Sequence, residues 1–107
     1  MPIFAVAHMR QVTVGPDIVE YLNRIDATLA PFGGRFIVHG GEADVPEGSW
    51  PGHLILIEFP DGDHLRRWYD SPAYRKILHL RTDNSARDVI FVDGISTDHR
   101  AADVLEQ

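Results

Sequence analysis

The chain has 107 residues, of which 44% are hydrophobic and 24% are charged, and this is the size and composition of one globular domain. Sixteen acidic against ten basic residues give a net charge of -6, which argues against binding to nucleic acids or anionic membranes, because both need a basic surface. The absence of cysteine excludes disulfides, thiolate catalysis, iron–sulfur clusters and cysteine-ligated zinc. No apolar run approaches the roughly 20 residues of a membrane span, and the N-terminus lacks the basic segment of a signal peptide, so we expect a soluble cytoplasmic protein.

The chain begins with a predicted strand and helix. Residues Ile3–Met9 form a short apolar segment closed by polar residues, which is typical of a strand. Pro16 and Asp17 indicate a helix start, because proline fits the first helical position and aspartate suits the positive end of the helix dipole. Apolar residues then recur at helical spacing, at Ile18, Leu22, Ile25 and Leu29. Tyr21 lies beside this stripe, and we interpret it as a flanking residue.

Two more strands follow, separated by a long loop. A glycine pair at 33–34 ends the helix, since glycine readily takes positive φ, and Arg35–His39 is the second strand. Residues 40–52 form a loop that is long for a compact domain, which favours a functional loop or a short extra strand. His53–Phe59 is the strongest strand pattern in the chain.

The second half predicts an interrupted helix and a last strand. Pro60–Asp63 starts the helix, and Ser71 and Pro72 restart it, because serine is a favourable N-cap and proline a favourable first residue. Its first part carries Leu65, Trp68 and Tyr69, and the buried face after the restart is marked by Tyr74, Ile77 and Leu78. Val89–Val92 is the last strand.

This order of elements predicts an α+β fold of the ferredoxin-like βαββαβ type. Two strand–helix–strand units with right-handed crossovers give a four-stranded antiparallel sheet, in spatial order 4-1-3-2, with both helices on one face. We expect one such domain over residues 1–95. Residues 96–107 are predicted to form a polar C-terminal tail with a short helix at Ala101–Leu105.

Alternation along the strands divides the sheet residues into two faces. One set is wholly apolar and is expected under the helices: Ala5, Ala7, Phe36, Val38, Ile55, Ile57, Phe59, Ile90 and Val92. The other set mixes seven apolar with five polar residues: Phe4, Val6, His8, Arg35, Ile37, His39, Leu54, Leu56, Glu58, Val89, Phe91 and Asp93. An apolar patch of that kind is typical of an interface, so we expect a homodimer, packed sheet to sheet, that encloses a space between the sheets.

Several short motifs resemble one known family. They are Phe32-Gly33-Gly34-Arg35-Phe36, Gly40-Gly41, Trp50-Pro51, Ile57-Glu58-Phe59-Pro60, Trp68-Tyr69-Asp70-Ser71-Pro72-Ala73-Tyr74 and Val92-Asp93-Gly94. Together they span most of residues 3–95 and resemble the family catalogued as domain of unknown function 1330, within the dimeric α+β barrel superfamily. The tail after Ile95 lies outside the pattern, and the segment Arg10–Thr13 is less acidic than expected for the turn after the first strand.

The resemblance implies a ferredoxin-like dimer but no particular activity. The family has no general assigned function. Other members of the superfamily include cofactor-free monooxygenases, lactone isomerases, polyketide cyclases and haem-binding enzymes. Likeness at the level of fold says little about the chemistry of this chain.

Three polar residues of the second face form a candidate catalytic cluster: His8, Arg35 and Glu58. We expect the first and third strands to be central, parallel neighbours, so that His8 and Glu58 lie at the same end of the sheet. The start of the second strand brings Arg35 there as well. A carboxylate beside a histidine orients it as a general base, and an arginine binds a carboxylate or enolate oxygen. The alternative is structural, with an Arg35–Glu58 ion pair that neutralises a buried charge and a His8 that is merely hydrogen-bonded.

Five further residues are candidates for substrate binding: His39, Trp68, Tyr69, Tyr74 and Arg81. Three of them, His39, Trp68 and Arg81, also have a structural explanation. Helical spacing places Trp68 against the sheet as a core residue, and His39 can be a solvent-side or interface residue. Tyr69 and Tyr74 carry hydroxyls that can reach a pocket edge. Arg81 can interact with the C-terminal dipole of its helix instead of with an anion.

No metal or cofactor motif is apparent. The six histidines show no HExxH or HxH spacing, and the glycine pairs have neither the spacing nor the lysine of a nucleotide loop. We therefore expect no bound metal, flavin or other cofactor.

The sequence is compatible with three functions. The first is a cofactor-free enzyme that performs proton transfer, isomerisation or cyclisation on a small apolar or aromatic acid or ketone in the dimer barrel. The second is a non-catalytic module that binds a metabolite or haem in the same space. The third is a purely structural dimer whose sheet face is filled by packing.

Overall fold

The computed structural model describes residues 1–106 and contains one four-stranded sheet. The strands are β1 (Ile3–Val12), β2 (Arg35–His39), β3 (His53–Phe59) and β4 (Ser85–Asp93). The helices are α1 (Pro16–Leu29), α2 (Gly62–Asp70) and α3 (Pro72–Thr82), with shorter 3-10 helices at Ala30–Phe32 and Ala101–Glu106. The strand order β2-β3-β1-β4 is the predicted order counted from the other edge, and the ferredoxin-like fold is thereby confirmed. Within residues 1–106 no helix is both long and apolar enough to cross a membrane.

The central strand β1 is antiparallel to both of its neighbours. The expectation that the first and third strands are parallel is therefore wrong. The crossover through α1 makes β2 parallel to β1, and the loop over residues 40–52 turns the chain back, so that β3 must run opposite to both. As a result His8 pairs with Leu54 near the start of β3, whereas Glu58, near its end, pairs with Phe4.

The predicted faces are reversed in β4. Phe91 pairs with Ala5, which lies under the helices, whereas Val92 pairs with Phe4 on the uncovered side. The register places Val89, Phe91 and Asp93 on the helix-covered side, and Ile90 and Val92 on the uncovered side. The prediction failed because residues 89–92 are all apolar, so the sequence pattern does not show which of them face the helices.

A bulge in β2 changes the faces of its last residues. Phe36 pairs with Ile57 and Val38 pairs with Leu56, which leaves Ile37 as the extra residue. His39 stacks on Phe36, with ring centroids 4.3 Å apart. His39 therefore lies on the helix-covered side and Val38 on the uncovered side, both opposite to the prediction. A bulge adds one unpaired residue to a strand and so shifts every later side chain by one position.

The hydrophobic core lies between the sheet and the helices. Its buried members are Ala5, Tyr21, Ile25, Leu29, Ile57, Phe59, Leu65, Trp68, Tyr74, Ile77 and Leu80. Tyr21 is 7% exposed, whereas Leu22 is 45% exposed, so the two residues exchange the roles expected from the sequence. Tyr21 is three residues after Ile18 and four before Ile25, and this spacing also defines a helical face.

The uncovered side of the sheet carries an apolar patch. The patch consists of Phe4, Val6, Val38, Leu54, Leu56, Ile90 and Val92. Ile90 is 56% exposed and Val92 is 44% exposed in the single chain. The membership of the patch differs from the prediction in β2 and β4, but its apolar character is the same.

The helix restart forms as predicted. Ser71 is extended, with ψ of 146°, between the end of α2 and the start of α3. Its Oγ accepts a hydrogen bond from the Tyr74 backbone N–H at 3.2 Å and donates one to the Trp68 carbonyl oxygen at 2.7 Å. Ser71 therefore joins both helices through one hydroxyl.

We expect Ser71→Ala to lower the free energy of unfolding by about 1 kcal/mol, because the first turn of α3 loses its side-chain cap. Urea denaturation followed by circular dichroism measures the change. Ser49→Ala, at an exposed loop serine, serves as the control and should leave the midpoint unchanged. Equal midpoints for both variants would contradict the capping role.

Candidate functional site

The predicted catalytic cluster does not assemble. Arg35 and Glu58 form an ion pair on the uncovered side, with Nη2 and Oε1 2.9 Å apart. His8 lies four residues further along β1 than Phe4, the partner of Glu58, and this corresponds to about 14 Å along the strand. The antiparallel pairing of β1 and β3 puts the histidine and the carboxylate at opposite ends of the sheet.

His8 instead anchors the loop before β3. Its ring stacks on Trp50, with centroids 4.1 Å apart and planes inclined by 16°. Its Nε2 lies 2.7 Å from the Pro51 carbonyl oxygen, at hydrogen-bonding distance. These contacts account for His8 by structure alone, as the alternative interpretation of the cluster allowed.

A cavity of about 410 Å³ lies between the sheet and the helices of the single chain. Its walls are mostly apolar and aromatic, and Ile18, Ile25, Ile55, Ile57 and Phe91 contribute to them. The volume lies within the range of small-molecule sites. The space expected from the sequence was on the other side of the sheet, between two copies of the chain.

The five predicted substrate-binding residues all line this one cavity: His39, Trp68, Tyr69, Tyr74 and Arg81. They come from the end of β2 and from both α2 and α3. Tyr69 contacts Phe91 edge to face, with centroids 5.3 Å apart, and so connects α2 with the sheet. Whether these residues bind a substrate stays a prediction.

A buried polar cluster forms at the cavity wall from two tyrosines and one arginine. The hydroxyls of Tyr21 and Tyr74 are 2.8 Å apart, and Arg81 Nη2 donates to the Tyr74 hydroxyl oxygen at 3.4 Å. Tyr74 is 1% exposed, and Tyr21 and Arg81 are each 7% exposed. Within residues 1–106, Arg81 Nη1 is buried without a hydrogen-bond partner.

Two helices supply this cluster, and a third packs against it. Tyr74 lies in the first turn of α3, and Arg81 follows seven residues later, which is about two helical turns and so places both on one face. Tyr21 comes from α1, which packs beside α3. Trp68, from α2, has its ring centroid 4.1 Å from that of Tyr74, and its Nε1 donates to Thr28 Oγ1 at 3.0 Å. The sequence analysis missed Tyr21 because it took Leu22 for the inward residue of that turn.

The cavity reaches solvent where β1 and β2 end and β3 begins. Its exposed lining residues there are Arg10, Gln11, His39 and His53. Gly52 precedes His53 with φ of +82°, and a Cβ at this position would overlap the Met9 carbonyl oxygen. Glycine is thus required where the loop passes against β1, and the loop then delivers His53 to the cavity mouth.

One group of residues has the composition of a metal site: Asp61, Asp63 and His64 at the start of α2. All three lie at the protein surface. Asp61 caps the helix by accepting the His64 backbone N–H at 2.9 Å, and this hydrogen bond holds the pKa of Asp61 below its ordinary value. Capping accounts for Asp61 and His64, and Asp63 forms an ion pair with Arg67, with Oδ2 and Nε 3.0 Å apart.

The fold and its internal cavity define a class of protein, the ferredoxin-like α+β domain. Residues 2–95 match the model of the family described as Domain of unknown function (DUF1330). The chain therefore belongs to this family, as its motifs predicted. No match exists among the curated proteins.

Solved structures confirm the fold at low sequence identity. A protein of unknown function from Rhodopseudomonas palustris is 16% identical, with a TM-score of 0.68 over 89% of this chain and 83% of the other. A dimeric ferredoxin-like protein of unknown function from Jannaschia sp. CCS1 is 10% identical, with a TM-score of 0.69 over 88% and 100%. SnoaB, a cofactor-independent oxygenase from Streptomyces nogalater, is 16% identical, with a TM-score of 0.62 over 92% and 98%.

The buried tyrosine pair predicts a loss of stability in alkali. Burial raises the pKa of the Tyr21 phenol, and Tyr74 acts in the same direction. Folded Tyr21 therefore keeps its proton above pH about 10, where the unfolded chain releases it. Because the unfolded chain then binds fewer protons, the free energy of unfolding falls as pH rises through this range.

We expect wild-type protein to lose more stability than Tyr21→Phe when the pH is raised from about 9 to 11. Urea denaturation at several pH values measures the difference. Tyr69→Phe, which removes a phenol outside the pair, should behave as the wild type does. The prediction would be contradicted if the free energies of unfolding of the wild type and Tyr21→Phe fell equally between these pH values.

Proposed function

We propose that the protein binds a small apolar or aromatic ketone or acid in the cavity and catalyses proton transfer on it, as in an isomerisation or cyclisation. The observation that carries this proposal is the Tyr21–Tyr74–Arg81 cluster in the wall of an otherwise mostly apolar cavity. Large apolar pockets with a few convergent polar groups are the usual form of small-molecule sites. SnoaB, which shares the fold, is a cofactor-independent oxygenase.

The polar cluster is suited to stabilising an enolate. When Tyr21 donates to the Tyr74 oxygen, the Tyr74 proton is available to a ligand carbonyl. Arg81 also donates to that oxygen, so negative charge that develops on Tyr74 is stabilised by two hydrogen bonds. The ligand loses a proton from the carbon next to its carbonyl group, and Tyr74 hydrogen-bonds the oxygen that gains the charge.

His39 is the base in this proposal. It lines the same cavity, and its ring is held by the stack on Phe36. An imidazole nitrogen that is not protonated can accept the proton that the ligand loses. His53 lies at the mouth and offers a matched histidine for comparison.

Proton exchange of a bicyclic aryl ketone, 2-tetralone, in D2O tests the catalytic proposal. We expect wild-type protein to accelerate exchange of the α-protons seen by NMR, and Tyr74→Phe and His39→Gln to lose about 10²-fold or more of that rate. His53→Gln, and His8→Ala and Glu58→Gln on the uncovered side, should keep it. Unchanged exchange in Tyr74→Phe would remove the tyrosine from the mechanism.

A non-catalytic binding module is the second candidate function. Burial raises the pKa of Tyr21, and this keeps the phenol a hydrogen-bond donor instead of a base. A hydrogen-bond donor of this kind can bind a ligand without taking part in a reaction. Binding of 2-tetralone, seen by calorimetry without faster exchange, would favour this function over the enzyme.

We also propose that two copies of the chain pack through the apolar patch on the uncovered side of the sheet. The patch lies on the side without helices, and solved neighbours from Jannaschia sp. CCS1 and Thermobifida fusca are described as dimeric. Burial of each large apolar side chain contributes roughly 1.5–3 kcal/mol before entropic costs. The cavity of each chain lies on the opposite side of its sheet, so dimer packing leaves it open.

Light scattering tests the dimer. We expect the native protein to have twice the 12.0 kDa mass of the chain and Leu56→Asp to dissociate it, because Leu56 lies on a strand between β1 and β2 within the patch. Ile90→Asp should dissociate the dimer without unfolding the chain, because Ile90 is 56% exposed in the single chain. Val19→Asp, at an exposed position on α1, is the control. A native protein of 12.0 kDa would refute the proposal.

A further inference from the structure

We infer that the ligand of the cavity is an aromatic monoanion whose carboxylate or enolate oxygen binds Arg81 Nη1. This inference names the substrate class for the proposed function and rests on the cavity being its site. It starts from Arg81, which is 7% exposed as a residue and has one buried guanidinium nitrogen without a hydrogen-bond partner in residues 1–106.

Arg81 lacks the counter-charge that a buried cation normally has. An arginine stays protonated in proteins and carries five N–H donors. Its Nη2 donates to the neutral hydroxyl of Tyr74, and across residues 1–106 no carboxylate lies within 4.0 Å of its guanidinium. Burying an unpaired charge is costly, and an anion in the cavity would reduce that cost.

Charge is segregated around the cavity. Its lining contains two arginines, Arg10 and Arg81, and two histidines, His39 and His53. In the part of the chain that the structure describes, no aspartate or glutamate lines it, although the chain has sixteen acids and a net charge of -6. Arg10 pairs with Asp88, which lies outside the lining. An acidic protein with a basic cavity favours an anionic ligand over a neutral or cationic one.

The aromatic residues of the cavity walls indicate that the uncharged part of the ligand is flat. Trp68, Tyr69 and Tyr74 lie on the helix side, and Phe36 and Phe91 lie on the sheet side. Aromatic rings favour flat partners that pack against their faces or edges. A volume of about 410 Å³ accommodates a fused two-ring body with its acid group.

Calorimetric titration with two matched probes tests the inference. 2-Naphthoate carries the anion, and 2-naphthalenemethanol has the same ring system without the charge. We expect wild-type protein to bind the acid at least about tenfold more tightly than the alcohol. Arg81→Gln should bring the two affinities together, while Arg24→Gln, at an exposed arginine of α1, should preserve the difference.

The outcomes separate this inference from the proposed function. Equal binding of both probes to the wild type would overturn the anion preference and leave the cavity as a site for neutral ketones. If neither probe binds, the inference is wrong, and exchange of 2-tetralone then decides the proposed function by itself. Because the ratio of affinities is measured on wild-type protein, a failure of Arg81→Gln to fold does not affect this decision.

Discussion

The hydrogen bond between the Tyr21 and Tyr74 hydroxyls joins α1 to α3 inside a mostly apolar helix layer. Both phenols are buried, so neither hydroxyl has water as a ready alternative, and each satisfies the other. Trp68 is held against this pair and is tied to α1 through Thr28. The positions of the helices over the sheet, and hence the cavity beneath them, depend on this contact and on the aromatic packing around it.

Much of the fold could be predicted because local signals agreed with one another. Proline and serine at the helix starts, glycines at the helix end and short apolar strands gave the element order, and right-handed crossovers then left one sheet topology. Ser71 is the clearest case, since its N-cap role followed from its place before Pro72 and is seen directly. The direction of β3 also follows from that topology, although the sequence analysis assigned it incorrectly.

The composition of the candidate site was harder to predict, because it depends on single-residue shifts. The apolar run Val89–Val92 has no alternation, and the bulge at Ile37 has no signature in the sequence. Tyr21 and Leu22 both fit a helical stripe, and only the packing in the structure shows that Tyr21 is the buried one. Tyr69, Tyr74 and Arg81 were candidates because of their hydroxyls and their charge, and they line one cavity. The group assigned across three strands is instead separated by the antiparallel register of β1 and β3.

The bulge in β2 has a consequence for comparisons among related sequences. Ile37 is the unpaired residue, so a chain without it would keep Phe36 and His39 on the helix-covered side and Val38 on the uncovered side through ordinary alternation. A one-residue gap at this position in a sequence alignment would therefore conserve the cavity wall. A gap at most other positions of the strand core would exchange the two faces instead, and the histidine would leave the cavity.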